Sequence, residues 1–377
     1  MSNLYYGNSF IKIKGVPVFS NSARAGSSGF SLWEIKPPTI PPEESSTPVQ
    51  KNEARIKGSL PKGVERLSLQ NLPNSQRKVR FVDEGENGET KVKTAETFEE
   101  YCDKLRGIDK QTFAKINELS SKLLEGRKKK KFKAQRYSDI SVWDDNYYNP
   151  NDGDAFMASC MNFSGKTYYA CEAPQPQYFK QFWKMVWNTQ TKTIFMLTNL
   201  MEKRKIKACA YWGDVRKVET YDDIVVSYVS DTFFKVNQND VVDKVPKLEG
   251  PTKESYIQKR TFQLTSNRET HTVVQYHYLN WPDMGTPDKC ALVDYLRQQH
   301  DITSPSVVHC SAGVGRTGTF IAYDSLVREC KQNKKAAVSK IDVNERILQM
   351  RFYRDGMVQT DGQRQFIEDA CKYTLNK

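Results

Sequence analysis

Cys310 stands six positions before Arg316 in the run Val307-Val308-His309-Cys310-Ser311-Ala312-Gly313-Val314-Gly315-Arg316-Thr317-Gly318, and the residue types there suit the handling of a phosphoryl group. A β-type run leads in, small and glycine residues follow, and Phe320, Tyr323, Val327 and Cys330 then recur at helical spacing. Strand, tight loop and helix amino terminus together make an anion cradle. Backbone N–H groups of Ser311, Ala312, Gly313, Val314 and Gly315 can converge on one oxyanion, and the helix dipole adds partial positive charge. A thiol at such a place beside an arginine ionises at a pKa of roughly 3.5–7.5, so Cys310 is the expected nucleophile. The planar fork of Arg316 matches two phosphoryl oxygens and tightens as charge spreads in the transition state. Thr317 places a hydroxyl where it can donate to the sulfur and help it leave. An inert buried cysteine before a glycine turn would account for Cys310 but for neither the arginine nor the glycines.

An aryl leaving group departs as an anion unless an acid reaches its oxygen, and Trp281-Pro282-Asp283-Met284-Gly285-Thr286-Pro287 supplies a candidate in Asp283. Taken alone, that run reads as an ordinary loop. Taken with the cysteine loop, HCSAGVGRTG and WPDMGTP resemble the signature and the flap of the tyrosine-specific, cysteine-dependent protein phosphatases, of the non-receptor-like catalytic type. The resemblance covers about residues 97 to 377. It implies hydrolysis of phosphotyrosine in proteins through a phosphocysteine intermediate, with no metal or organic cofactor. It also implies a flap that closes over substrate, with Asp283 as acid and then base, help worth ~10²–10⁴ in rate. Gln359 would position the hydrolytic water, with Gln363 the weaker second candidate. Tyr137 would wall a deep pocket, and Asp139 would hold the substrate backbone. Glu202 would orient Arg316, Lys207 would meet Asp283, and His309 would support the loop from behind.

Three departures from the family pattern bear on rate. Gln135 and Met157 stand where asparagines would brace the tyrosine-bearing segment, and Glu172 puts an extra carboxylate near the presumed pocket. The rival reading is therefore a weakly active or inactive phosphatase fold that binds phosphotyrosine proteins. Chemistry on phosphoserine or RNA 5′-phosphates is disfavoured by Tyr137 and the flap.

Around these groups, apolar spacing predicts helices over about 98–105, 113–123, 178–187, 291–299, 317–330 and 363–373, and strands near 194–197, 224–229, 272–278 and 306–308. This mixture predicts an α/β (α+β) fold, and the resemblance makes it a central twisted mixed sheet flanked by helices. Residues 1–95 carry Ser/Gly clusters, prolines and scattered charge with little apolar periodicity, which predicts a largely disordered or linker-like extension. Residues 96–377 form the expected catalytic domain, with the patch around Val79–Val82 able to pair as a strand on a neighbour.

The chain of 377 residues carries a net charge of +12, which favours anionic partners without naming one; tyrosine-phosphorylated proteins are expected and nucleic acid is not. Eight cysteines without a CxxC pair, and no histidine in metal-ligand register, argue against zinc or disulfide frameworks and for a reducing compartment. No leader, lipidation signal or membrane-length apolar run is evident, so an intracellular, cytoplasmic protein is expected. The basic run Arg127–Lys131 reads as a solvated charge run, with nuclear import as the alternative.

Overall fold

The computed structural model describes residues 97–377 except 151–152, 215–216, 238–239, 244–254 and 333–340. It also describes the backbone of two short antiparallel pairings, Leu4–Tyr6 with Ser9–Ile11 and Phe81–Glu84 with Thr90–Lys93. The remainder of 1–95, and with it the expectation of a linker-like extension, lies outside the described residues. The strand expected around Val79–Val82 pairs with its own neighbour in sequence, Thr90–Lys93.

Nine strands form one mixed sheet: β1 Ala158–Phe163, β2 Lys166–Cys171, β3 Thr193–Met196, β4 Val218–Tyr221, β5 Ile224–Asn237, β6 Asp240–Asp243, β7 Tyr256–Ser266, β8 Glu269–Leu279 and β9 Ser306–His309. The order is β4-β5-β7-β8-β3-β9-β2-β1, with β6 pairing β5. β8, β3, β9 and β2 run parallel, and antiparallel hairpins extend both edges. Because side chains alternate across a strand, the sheet has two apolar faces. Tyr168, Ala170, Phe195 and Val308 point into one core, and Tyr169, Cys171, Ile194, Met196 and Val307 into the other.

The first core is covered by α1 Phe98–Leu105, α2 Phe113–Leu123, α4 Cys290–Gln298, α5 Gly315–Gln332, α6 Val343–Tyr353 and α7 Asp361–Leu375; the second is covered by α3 Phe179–Asn188. Thr97 opens α1 with a reciprocal cap, its hydroxyl accepting from Glu100 N while the Glu100 carboxylate accepts from Thr97 N at 2.7 Å. The helix α5 is buried on nearly every side from Gly315 to Val327, so the central parallel strand β9 hands the chain directly into the most enclosed helix of the domain. No helix among the described residues is long and apolar enough to cross a membrane.

The basic run is built into this fold instead of standing free. Arg127 is buried, stacked 4.7 Å from the rings of both Trp143 and Phe352, and paired with Asp145 at 2.6 Å. Its other amino group donates to the Phe352 carbonyl. Lys129 reaches Asp355 at 2.5 Å, and Lys129–Lys130 pairs with Val142–Trp143. A sequence in which charges cluster says nothing of which one is stacked between aromatic rings. Arg127→Ala is expected to lower unfolding free energy by about 2–4 kcal/mol. The exposed neighbour Lys128→Ala should change it by less than about 0.5 kcal/mol. Equal effects of the two substitutions in urea unfolding would contradict the assignment.

Candidate active site

The loop after β9 runs from Cys310 to Val314 at the carboxyl ends of the parallel strands, the place where open α/β sheets bind ligands. Its shape depends on close backbone approach. Gly313 has φ +74°, and a Cβ there would stand 2.1 Å from the carbonyl of Cys171. A Cβ on Gly315 would stand 2.5 Å from Gln359 Oε1. The loop carbonyls are turned away from the cleft by Arg354, which is fully buried and donates to Gly313 O at 2.8 Å and Ala312 O at 3.2 Å. Its remaining amino group reaches Met157 O and Ser159 Oγ. With the carbonyls held outward, the N–H groups are left to face the cysteine, and Gly313 N donates to Cys310 Sγ at 3.2 Å.

Burial alone would push the Cys310 thiol up. The Arg316 charge, the Thr317 hydroxyl and the N–H groups of Thr317 and Gly313 outweigh it and hold the thiol below its ordinary range. The Thr317 hydroxyl is fully buried and has no hydrogen-bond partner of its own among the described residues, so its proton is available to the sulfur. Arg316 donates to Glu202 Oε1 at 2.6 Å, to the Trp281 carbonyl at 2.9 Å and to Asp283 Oδ1 at 3.2 Å. Lys207 Nζ takes the other Asp283 oxygen at 2.5 Å. Burial pushes Asp283 up, but Lys207 and Arg316 together hold it below the usual carboxylate range. The flap is braced internally by Trp281 Nε1 donating to Gly285 O at 3.1 Å and lies directly against the arginine.

Behind the loop, His309 is buried and hydrogen-bonds Tyr211 Oη at 2.8 Å and the Cys310 carbonyl at 3.2 Å. Burial, with the Arg136 charge, pushes it down to about 4, so it is neutral near pH 7. On the rim, Tyr137 Oη lies 2.8 Å from Ser311 Oγ, and Ser311 Oγ donates to Lys207 O at 2.7 Å. Gln359 is exposed, with its N–H on Gln363 Oε1 at 2.9 Å; the buried Gln363 also donates to Gly285 O at 3.4 Å. The cleft of ≈160 Å³ is lined by Tyr137, Asp139, Lys207, Asp283, Cys310, Ser311, Ala312, Arg316, Gln359 and Gln363, so the sequence-predicted groups lie around one space. Glu202, Thr317 and His309 stand one layer behind it.

One expectation needs correction. The tyrosine segment is not left without a brace, because the Gln135 side chain itself accepts Phe132 N at 3.0 Å and donates to the carbonyls of Tyr137 and Ile140 at 2.6 and 2.7 Å. Glu172 does lie near the pocket, next to the loop at Gly313. It is buried beneath the segment, and both its oxygens accept Arg136 N, at 3.1 and 3.3 Å. Sequence reasoning missed Arg354 and Arg351 as site residues. Arg351 donates to Met357 O and Val358 O at 3.0 Å and so fixes the backbone leading to Gln359. Both arginines stand three positions apart at the carboxyl end of α6, which also carries Asn344, Glu345, Arg346 and Gln349, and only the loops they reach give them meaning.

Comparison with known proteins agrees with the geometry. The protein-tyrosine phosphatase family model matches residues 131–373, well over half of the chain. The chain belongs to the protein-tyrosine phosphatase family. Receptor-type tyrosine-protein phosphatase eta of Gallus gallus is 32% identical over 242 residues, covering 62% of this chain and 15% of the relative. The Homo sapiens eta phosphatase is 31% identical over 283 residues, covering 72% of this chain and 19% of the relative. The chain thus spans less than a fifth of the length of either relative. A solved PTPN18 structure, concerned with its fingerprint on distinct HER2 tyrosine phosphorylation sites, superposes with TM-score 0.55 at 22% identity. It covers 64% of this chain and 83% of that one, and the likeness is one of fold.

Burial pushes Glu172 up to about 7, against the Arg136 N–H and the charges of Arg354 and Arg136. An unfolded glutamate titrates near ~4.3, so the ionised form weighs against the folded state. That penalty is absent below the unfolded value, grows as pH rises through the folded one, and is constant above it. Glu172→Gln is therefore expected to stabilise the protein by about 3 kcal/mol at pH 8 and by almost nothing at pH 4, read by urea unfolding. An advantage that fails to grow with pH contradicts this.

Proposed function

We propose that this chain hydrolyses phosphotyrosine in proteins through a phosphocysteine intermediate, with the activity residing in residues 96–377. One observation carries the reading: a thiol buried yet held below its ordinary range, in the same cleft as an arginine fork and a carboxyl group. The Cys310 thiolate attacks phosphorus, the bond from phosphorus to the tyrosyl oxygen breaks, and Asp283 protonates that oxygen. Arg316 and the N–H groups from Ser311 to Gly315, including those of Ala312, Gly313 and Val314, hold the equatorial oxygens as their charge spreads. Water placed by Gln359 then attacks phosphorus and gives its proton to the Asp283 carboxylate. The sulfur leaves with help from the Thr317 hydroxyl, and inorganic phosphate is released.

Supporting groups take defined parts. Glu202 sets the guanidinium plane of Arg316, and His309 holds the Cys310 carbonyl out of the cleft. Gln363 ties the flap to the Gln359 turn. Tyr137, fixed on Ser311, makes the wall that favours an aromatic ester and excludes the shorter phosphoserine, while the exposed Asp139 accepts peptide N–H groups. A binding module without turnover is disfavoured because the bracing it would lack is supplied by Gln135.

Asp283 is paired with two cations, Lys207 and Arg316; a phosphate dianion that engages Arg316 weakens that pairing and favours protonation of the carboxyl, so activity favours the acid side of neutrality. Cys310→Ser should abolish phosphate release from a phosphotyrosine peptide, and Asp283→Ala should lower kcat by ~10²–10⁴. Lys207→Ala removes one of the charges that hold Asp283 down, so the alkaline limb of the kcat profile should move to higher pH. A limb that stays in place, or moves down, argues against Asp283 as the acid.

A further inference from the structure

We propose that Lys203, Arg204 and Lys205 form a docking rim for acidic side chains that flank the phosphorylated residue of a protein substrate; the inference rests on the phosphatase reading above. Met201–Glu202 pairs antiparallel with Lys205–Ile206, leaving Lys203 and Arg204 as a two-residue tip. Both feet of this hairpin are fixed in the active site, Glu202 on Arg316 at 2.6 Å and Lys207 on Asp283 at 2.5 Å. At ~3.3 Å per residue the tip stands roughly 7–10 Å from the cleft, a span an extended peptide covers in two or three residues.

The charges there are not neutralised at home. Lys203, Arg204 and Lys205 are exposed and have no ion-pair partner among the described residues. The carboxylates at the base of the hairpin are turned inward, Glu202 holding Arg316 and Thr198 through Oε1 with its Oε2 buried, and Asp283 holding Arg316 and Lys207. The tip is also strained for the residues it carries. Lys203 has φ +46° and Arg204 φ +63°, the left-handed pair that Asn-Gly adopts with ease and that long side chains do not. A turn kept only for its shape would not require two long cations, and strain retained beside a reaction centre points to use. The phosphoryl group is already served by Arg316 and the loop N–H groups, so the surplus positive field is left for a second anionic group. A polypeptide fits better than an anionic lipid surface, because exposed Asp139 at the same cleft repels a sheet of headgroups but can accept peptide N–H groups.

The test compares phosphotyrosine peptides bearing glutamate two to four positions from the phosphotyrosine with their alanine counterparts. It uses the intact chain and the double variant Lys203→Asn/Arg204→Gly, which relaxes the turn while removing its charge. The unaltered protein should favour the acidic peptides by roughly tenfold in kcat/KM, through KM, and lose that preference as salt rises. The double variant should discriminate by less than about twofold while turning over p-nitrophenyl phosphate as before. Binding of the same peptides to Cys310→Ser reads the preference without turnover. No preference in the unaltered protein, or an equal one in the double variant, overturns the proposal. So does loss of binding to phosphatidylserine vesicles with peptide preference intact. Failure of the phosphatase reading shows separately, as no turnover of p-nitrophenyl phosphate by the unaltered chain.

Discussion

A thiol removed from water should grip its proton, and the two other buried cysteines of this chain do. Burial pushes Cys371 up to about 12 and drives Cys171 above the ordinary range as well. Cys310 is nearly as buried and moves the other way, because a guanidinium, a hydroxyl and backbone N–H groups all face its sulfur. Keeping an anion in a dry place is thus the constraint that the surrounding structure meets. The same donors that stabilise the thiolate suit an incoming phosphoryl group.

Aiming N–H groups inward obliges the peptide carbonyls to find partners outside, and a buried arginine supplies them. Arg354 takes two loop carbonyls, and Arg351, one turn earlier in α6, takes those of Met357 and Val358. Arg354 meets no carboxylate in these contacts, and its charge acts on Cys310 and Glu172. The same charge offsets part, but not all, of the burial cost of the Glu172 carboxylate beneath the tyrosine segment. The flap completes the enclosure, with the Trp281 carbonyl on Arg316 drawing Asp283 to the same side as the sulfur.

The sequence made the chemistry plainer than the architecture. Cys310, Arg316 and their glycines are legible because a loop that gathers backbone N–H groups tolerates few residue types, and most of the residues predicted beside them line one cleft. The α-helices with one apolar stripe were placed to within one or two residues, as at 179–188 and 290–298. The strands β1, β2 and β7 were not anticipated. Cysteine, asparagine and serine interrupt β1, and β7 carries Lys259 and Arg260, the latter buried against Gln275 and His277. The helix α6 shows no stripe because it is buried from Val343 to Tyr353 on most sides, including its arginines. Long-range partnership is what periodicity cannot express, which is why Gln135 looked like a lost brace and Arg127 like a solvated charge.

The account stands on the ionisation of one sulfur, and the most direct measurement is the pH dependence of Cys310 alkylation by iodoacetamide, followed by mass spectrometry of the intact chain. Reaction should reach half its limiting rate at a pH well below the ~8.5 of a free thiol, and Arg316→Lys should move that midpoint upward. A midpoint at or above the free value, unmoved by Arg316→Lys, would contradict the central claim.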